Sequence, residues 1–225
     1  MNQFRATELG GEKMSRQQES YLKVIYDLML RYGHASNKKI AEDLNVAPAS
    51  VTEMVRKLKE NNWVQVSFHK ITLTPEGEAR VKNLLDRHRL WETFLLTKLD
   101  YPPDLVHDLA ESLEHASDSQ LIDRLNKYLA YPETCPHGGP IYVNGGREAR
   151  ESLWGKEDQG PFEIVQIIDE INYKHYERRG LLPGAQLELK KKFSENMTVS
   201  LEGKKATLSK EEAENILVVK NSQEA

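Results

Sequence analysis

From Ser15 onward, apolar residues recur three and four positions apart. Tyr21, Leu22, Ile25, Leu28 and Met29 form a stripe that stops near Gly33, and the spacing predicts a helix there. A shorter helix is expected from Asn37 to Leu44, with Ile40, Ala41 and Leu44 inward. A tight Asn45-Val46-Ala47 turn follows, and Pro48 suits the first turn of a third helix running to about Asn61. Its inward stripe is Val51, Met54, Val55 and Leu58. Two strand-like pieces, Val64 to Ser67 and Ile71 to Thr74, flank His69 and Lys70 and predict a small hairpin, or wing. Thr74-Pro75 starts a long helix to about Lys98, with Val81, Leu84, Leu85, Leu95 and Leu96 as its apolar face. Pro102-Pro103 opens another helix. Ser117 with Gln120 reads as a capping box for one more, which Pro132 ends.

The signal then changes. The stretch from Thr134 to Gly160 contains six glycines, a linker-like composition. Phe162 to Ile168, Gln186 to Phe193 and Met197 to Leu201 look strand-like, with turns at Pro183-Gly184 and Glu202-Gly203. A Ser209/Glu212 capping box predicts a short helix before a last strand, Ile216 to Val219. The expected class is mainly α with a β-rich C-terminal part. Residues 1–13 form a loose extension, 14–75 a winged helix-turn-helix, 76–145 a helical domain, 146–160 a linker and 161–221 a small β-rich domain.

Composition narrows the function. Charged residues make up 29% of the chain, and no apolar run approaches the roughly 20 residues of a membrane span. The polar start is no signal peptide, so a cytoplasmic protein without membrane contact is expected. The single cysteine excludes an intrachain disulfide, leaving Cys135 as a buried thiol, a reactive thiol or a ligand. Net charge is −4, but its distribution is uneven. Residues 31–70 hold seven Lys/Arg against four Asp/Glu, whereas 100–123 hold seven acids and no Lys/Arg. The first segment suits phosphates and the second suits cations; the competing reading is two ordinary solvated faces.

In the third helix Ser50, Thr52, Glu53, Arg56 and Lys57 lie away from the apolar stripe, and Lys70 lies on the wing. Hydroxyls bind phosphates or bases, Arg and Lys supply salt-sensitive attraction, and Glu53 suits a cytosine amino group. A plain charged outer face is the alternative, weakened by the turn and wing on either side.

Metal-ligand residue types follow at helical spacing: His88 and Glu92, then His107, Glu111, Glu114 and His115, with Cys135 and His137 downstream. Residues three and four apart share a helix face, so the second set is expected along one stripe facing the first. Each histidine alone is more simply a satisfied surface or core residue. Six donors in one pattern favour an ion, since buried carboxylates and imidazoles are costly unless paired or metallated. Imidazole with carboxylate suits Mn²⁺, Fe²⁺ or Zn²⁺, and a thiolate shifts preference toward the softer end.

Five stretches carry a family resemblance: Ser-Val-Thr-Glu-Met-Val (50–55), Leu-Thr-Pro-Glu-Gly (73–77), Arg-His-Arg-Leu-Trp-Glu (87–92), Glu-Ser-Leu-Glu-His (111–115) and Cys-Pro-His-Gly-Gly-Pro-Ile (135–141). Through them the chain resembles the diphtheria-toxin-repressor family of metal-dependent regulators. Within it, the match is to the manganese regulators of Gram-positive bacteria that carry a third domain. Residues 15–145 carry the likeness well and the C-terminal part only loosely. The resemblance implies a homodimer on double-stranded operator DNA, a helical dimerisation and metal domain, and an SH3-like third domain. One implied site groups Glu92, Cys135 and His137 with an acid of the third domain, best matched by Asp169, and with His107 nearby. The other groups His88, Glu111, Glu114 and His115 with an aspartate of the first helix. Ser20 stands in that last position, a departure that leaves three expectations for the second site: weakened, completed by water, or used by a different metal. Glu111 matches the carboxylate of the manganese branch rather than the cysteine of the iron branch, favouring Mn²⁺ over Fe²⁺.

A metal-activated repressor, with metal as corepressor and no substrate or catalysis, is therefore the expected function. Alternatives are an iron-responsive repressor, a regulator that has lost metal control, and a helical metalloenzyme or metal-storage protein. Glu/His stripes also build di-metal catalytic sites, but neither an open coordination position nor a substrate pocket is announced by the sequence.

Overall fold

The computed structural model describes residues 14–147, 151–157, 160–169 and 172–220. The chain divides into two compact units, one ending at Arg87 and the other beginning at His88. The expected loose extension, residues 1–13, lies outside the described residues.

The first unit opens with α1 (Arg16–Tyr32). Ser15 Oγ accepts from the Gln18 N–H while Gln18 returns the bond to the Ser15 N–H, so two orphan donors are satisfied reciprocally. Gly33, at φ 75°, ends the helix in the left-handed region that glycine adopts freely. Helix α2 (Asn37–Asp43) leads through Asn45, at φ 50°, into α3 (Pro48–Glu60). Tyr21, Leu22, Ile25, Ile40, Val51, Val55 and Leu58 are all buried, as the apolar stripes require. Strands β1 (Val64–Ser67) and β2 (Lys70–Leu73) pair antiparallel. The second strand stops one residue before Thr74, whose hydroxyl is committed to the next element. It donates to Asn62 O at 2.6 Å and accepts from Gly77 N at 3.1 Å, capping α4 (Pro75–Lys98). Gly77 is required there, since a Cβ would lie 1.9 Å from Trp63 O.

Helix α4 runs on into the second unit, which adds α5 (Pro103–Ala116) and α6 (Ser119–Tyr128). The expected Ser117/Gln120 capping box does not form. The Ser117 hydroxyl donates back to Leu113 O at 2.6 Å and accepts from Trp91 Nε1, so the cap falls to Asp118, which accepts from Leu121 N at 2.7 Å. Helix α6 also ends before Pro132, as Ala130 and Tyr131 both adopt positive φ.

A five-stranded antiparallel sheet completes the unit, in the order β6-β5-β4-β3-β7. Its elements are β3 (Pro161–Ile167), α7 (Tyr173–Arg178), β4 (Gln186–Lys192), β5 (Asn196–Leu201), β6 (Lys204–Ser209), α8 (Lys210–Glu214) and β7 (Ile216–Lys220). Phe162, Ile164, Leu187, Leu189, Met197, Val199 and Leu208 share one core. Leu153, within the stretch that composition marks as linker, is fully buried in that same core. Strand β6 and helix α7 are elements that the hydrophobic pattern does not predict. The fold is mainly α with a β-rich, SH3-like C-terminal part.

Candidate functional site

Helix α4 delivers His88 and Glu92 one turn apart, and both are buried. On α5, His107 and Glu114 are seven residues apart, so they point within about 20° of one another at 100° per residue. Both reach His88: its Nδ1 lies 2.8 Å from Glu114 Oε2, and its ring meets that of His107 edge-on at 4.8 Å. The other His88 nitrogen, Nε2, lies 3.2 Å from Glu92 Oε1, and His107 Nδ1 lies 3.9 Å from the same oxygen. His88, Glu92 and His107 thus offer ligand atoms within 4.8 Å of one another.

The third donor segment is the loop of residues 135–139. Gly138 N donates to Cys135 O and Cys135 N to Gly139 O, both at 2.9 Å, closing a tight turn with Pro136 at its favoured position. That turn aims Cys135 and His137 at Glu92. Glu92, Cys135 and His137 form a second group within 4.8 Å, every member buried, with His137 Nδ1 3.3 Å from Glu92 Oε2. One carboxylate therefore belongs to both groups. From the helix side Arg89 donates to Pro140 O at 2.7 Å, and a Cβ on Gly139 would strike its guanidinium. From the sheet side Ile167 N donates to His137 O at 3.0 Å. Gly138, at φ 83°, approaches Val165 O so closely that a Cβ would lie 2.0 Å away. Cys135 also forms part of the wall of a cleft of about 560 Å³, with Glu163, Val165 and Gln166 opposite.

The electrostatics follow from burial and pairing. Burial alone would raise the Glu92 carboxyl, but His137 and His88 beside it hold it well below the usual carboxylate range. Burial likewise opposes charge on His137, yet Glu92 and Cys135 push it up to about 12. Nε2 of His137 is buried and has no hydrogen-bond partner. Such an atom is expensive to leave unmade, and a divalent cation would satisfy it. The donor set of carboxylate, imidazole and thiolate fits that role.

The remaining expected ligands are placed differently. Among the described residues, Glu111, Glu114, His115 and Asp169 belong to neither donor group, although Glu114 contacts His88. Glu111 and His115 sit about 60° and 100° around α5 from Glu114, on the same side as His107, so the four side chains share one helix face about 100° wide. His115 Nε2 does lie 3.6 Å from Glu114 Oε1. Asp169 instead accepts from the backbone and side-chain amides of Asn172 at the start of α7. The Ser20 hydroxyl donates to Arg16 O within its own helix.

Ser50, Thr52, Glu53, Arg56, Lys57 and Lys70 are all exposed, opposite the buried stripe of α3 or on the wing. Arg56 forks between Glu53 and Glu60, and Lys57 lies 3.6 Å from Glu53, so Glu53 is tied to its own helix. Asn37, which no sequence pattern singles out, donates to Thr52 Oγ1 at 3.1 Å and joins this face. At the wing tip Phe68 is 95% exposed. Tyr173 and Arg89 likewise escape a reading of the sequence, because contacts across 37 or 51 residues leave no local periodicity.

A winged unit with hydroxyls and cations on its outer face, in one chain with buried imidazole, carboxylate and thiolate donors, defines a metal-dependent DNA-binding regulator. Residues 13–70 match the family model described as iron dependent repressor, N-terminal DNA binding domain, and residues 74–143 match its metal binding and dimerisation domain. Residues 160–220 match the FeoA domain. The chain belongs to the iron-dependent repressor family, the diphtheria-toxin-repressor group of metal-dependent transcriptional regulators. It is 36% identical over 119 residues to the HTH-type transcriptional regulator MntR of Listeria monocytogenes serotype 4a, covering 52% of this chain and 83% of that one. A solved structure of the manganese regulator SloR is 33% identical, with a TM-score of 0.79, covering 92% of this chain and all of the other. The metal-dependent transcriptional regulator MtsR is 31% identical, with a TM-score of 0.83 over the same shares.

Proposed function

We propose that the chain is a manganese-activated repressor of metal-homeostasis genes, acting as a homodimer on double-stranded operator DNA and catalysing no reaction. The observation that carries this reading is the buried group of Glu92, Cys135 and His137, with its unsatisfied imidazole nitrogen. A divalent cation bound there supplies the positive charge that a proton on His137 supplies otherwise. Glu92 belongs to α4 and Cys135 and His137 to the loop, so binding fixes a helix against a loop. His88 and His107 extend the donor set along the Glu92 carboxylate, and Glu114 orients His88 from behind. Support for manganese comes from the carboxylates among these donors and from the named regulators, SloR being a manganese regulator. A second reading, an iron-responsive repressor, is favoured by the Cys135 thiol among the donors.

The test is fluorescence-anisotropy binding of chelator-treated protein to DNA upstream of its own gene, at fixed salt, with and without Mn²⁺. A large gain with Mn²⁺ that Mg²⁺ does not reproduce is expected, with Fe²⁺ and Zn²⁺ ranked in the same assay. The double substitution Glu92→Ala, His137→Ala should remove the gain; unaltered metal dependence in that protein would sink the ligand assignment.

A further inference from the structure

Resting on that reading, we propose that Tyr173 is a positioning residue for the metal centre: its ring and hydroxyl hold the Pro136-His137 dipeptide so that His137 presents its free nitrogen to the ion. Tyr173 opens α7, in the sheet part of the second unit, and packs against the sheet core. Its ring meets the His137 imidazole edge-on, centroids 4.3 Å apart with the planes at 70°. Its hydroxyl donates to Pro136 O at 3.3 Å. The ring limits rotation of the imidazole about its side-chain bonds, and the hydroxyl anchors the residue immediately before it.

Two further contacts place the same loop. Ile167 N–H takes the His137 carbonyl, and Gly138 lies against the Val165 carbonyl with no room for a side chain. Backbone contacts fix where the loop runs but leave the imidazole free to turn. Glu92 holds the Nδ1 edge of the ring at 3.3 Å, and Tyr173 constrains the ring from outside the donor group. Partners that orient a ligand from outside commonly contribute roughly 10- to 100-fold in metal affinity. The sheet part therefore acts on the ion without having to donate a ligand of its own.

The test uses the full chain and three substitutions: Tyr173→Phe, which removes only the hydroxyl, Tyr173→Leu, which keeps an apolar filler but no ring, and Tyr173→Ala. Mn²⁺ affinity is read by electron paramagnetic resonance of the free ion. Co²⁺ loading is followed through the thiolate-to-cobalt absorption that reports Cys135, and hydrogen exchange of the Ile167 amide is followed in metal-free protein. Leu and Ala are expected to weaken Mn²⁺ about tenfold or more, shift the cobalt band and speed exchange at Ile167. Phe, which restores the ring, should recover most of the affinity. Equal affinity and an unmoved cobalt band in a folded Tyr173→Leu protein would overturn the proposal. The same holds if Phe and Leu are equally impaired, because the ring would then have no role. Wild-type protein that takes up neither ion would overturn the metal reading along with it, a result separable from equal binding by all four proteins.

Discussion

Glu92 and His137 are wholly buried side by side, and each favours the other's charged form, holding the carboxyl low and pushing the imidazole up to about 12. The depressed carboxyl contributes stability above the unfolded glutamate value, near ~4.3, and that contribution is lost as pH falls through its folded value. The raised imidazole contributes fully below the unfolded histidine value, near ~6.5, and loses that contribution as pH climbs toward about 12. Both contributions are complete only between roughly pH 4.3 and 6.5, so metal-free protein should be best stabilised by this pair in that window. An ion must displace the His137 proton. Mn²⁺ affinity should therefore rise about tenfold per pH unit near neutrality for each proton released. Calorimetry in two buffers of different ionisation enthalpy checks this, and a buffer-independent heat would contradict it. At this scale the donors are legible because helical spacing puts His88 with Glu92 and His107 with Glu114. Cys135 and His137, two residues apart, lie in a tight turn. Glu111, Glu114 and His115 share that helix face by spacing but stand outside the two close groups, because a shared face does not fix how far each side chain reaches.

At the scale of elements, α3 offers the plainest test. Its outer cations are exposed, but Arg56 is held by two glutamates while Lys57 makes a single, longer approach to Glu53. Lys57→Ala should lower operator affinity and reduce the slope of log affinity against log salt by about 0.9, the value for one phosphate contact. An unchanged slope would place Lys57 away from the backbone of the DNA. The helices of the winged unit are readable because each buries one stripe, which leaves a 3.6-residue period in the sequence. The elements that escape prediction lack any such trace. Strand β6 is an edge strand in which Leu208 alone is buried, and its exposed lysines, Lys204 and Lys205, suit an unpaired edge better than a core. Helix α7 is six residues long with Tyr176 buried, too short to show a period. The α6 cap falls one position from its expected place because Ser117 and Asp118 are both good caps, and Trp91 on another helix decides between them.

Across the whole molecule, the loop of residues 135–139 belongs to the sheet as much as to the helices. Arg89 grips it from α4, while Ile167 and Tyr173 grip it from β3 and α7. Family resemblance in the sequence anticipates three functional parts, but a composition of glycines disguises the segment between the last two as a passive connector. Leu153, buried in the sheet core, corrects that. The close approach of Gly138 to Val165 has a genetic meaning. A left-handed backbone and a carbonyl in the place of a side chain leave no replacement that fits, so a selection for cells that have lost repression should recover changes at codon 138 whatever amino acid results. Gly145 shares the left-handed backbone but has open space around it, and Asn there should pass the same selection unnoticed. Sequencing the survivors would show whether this glycine is a point where inheritance has no slack.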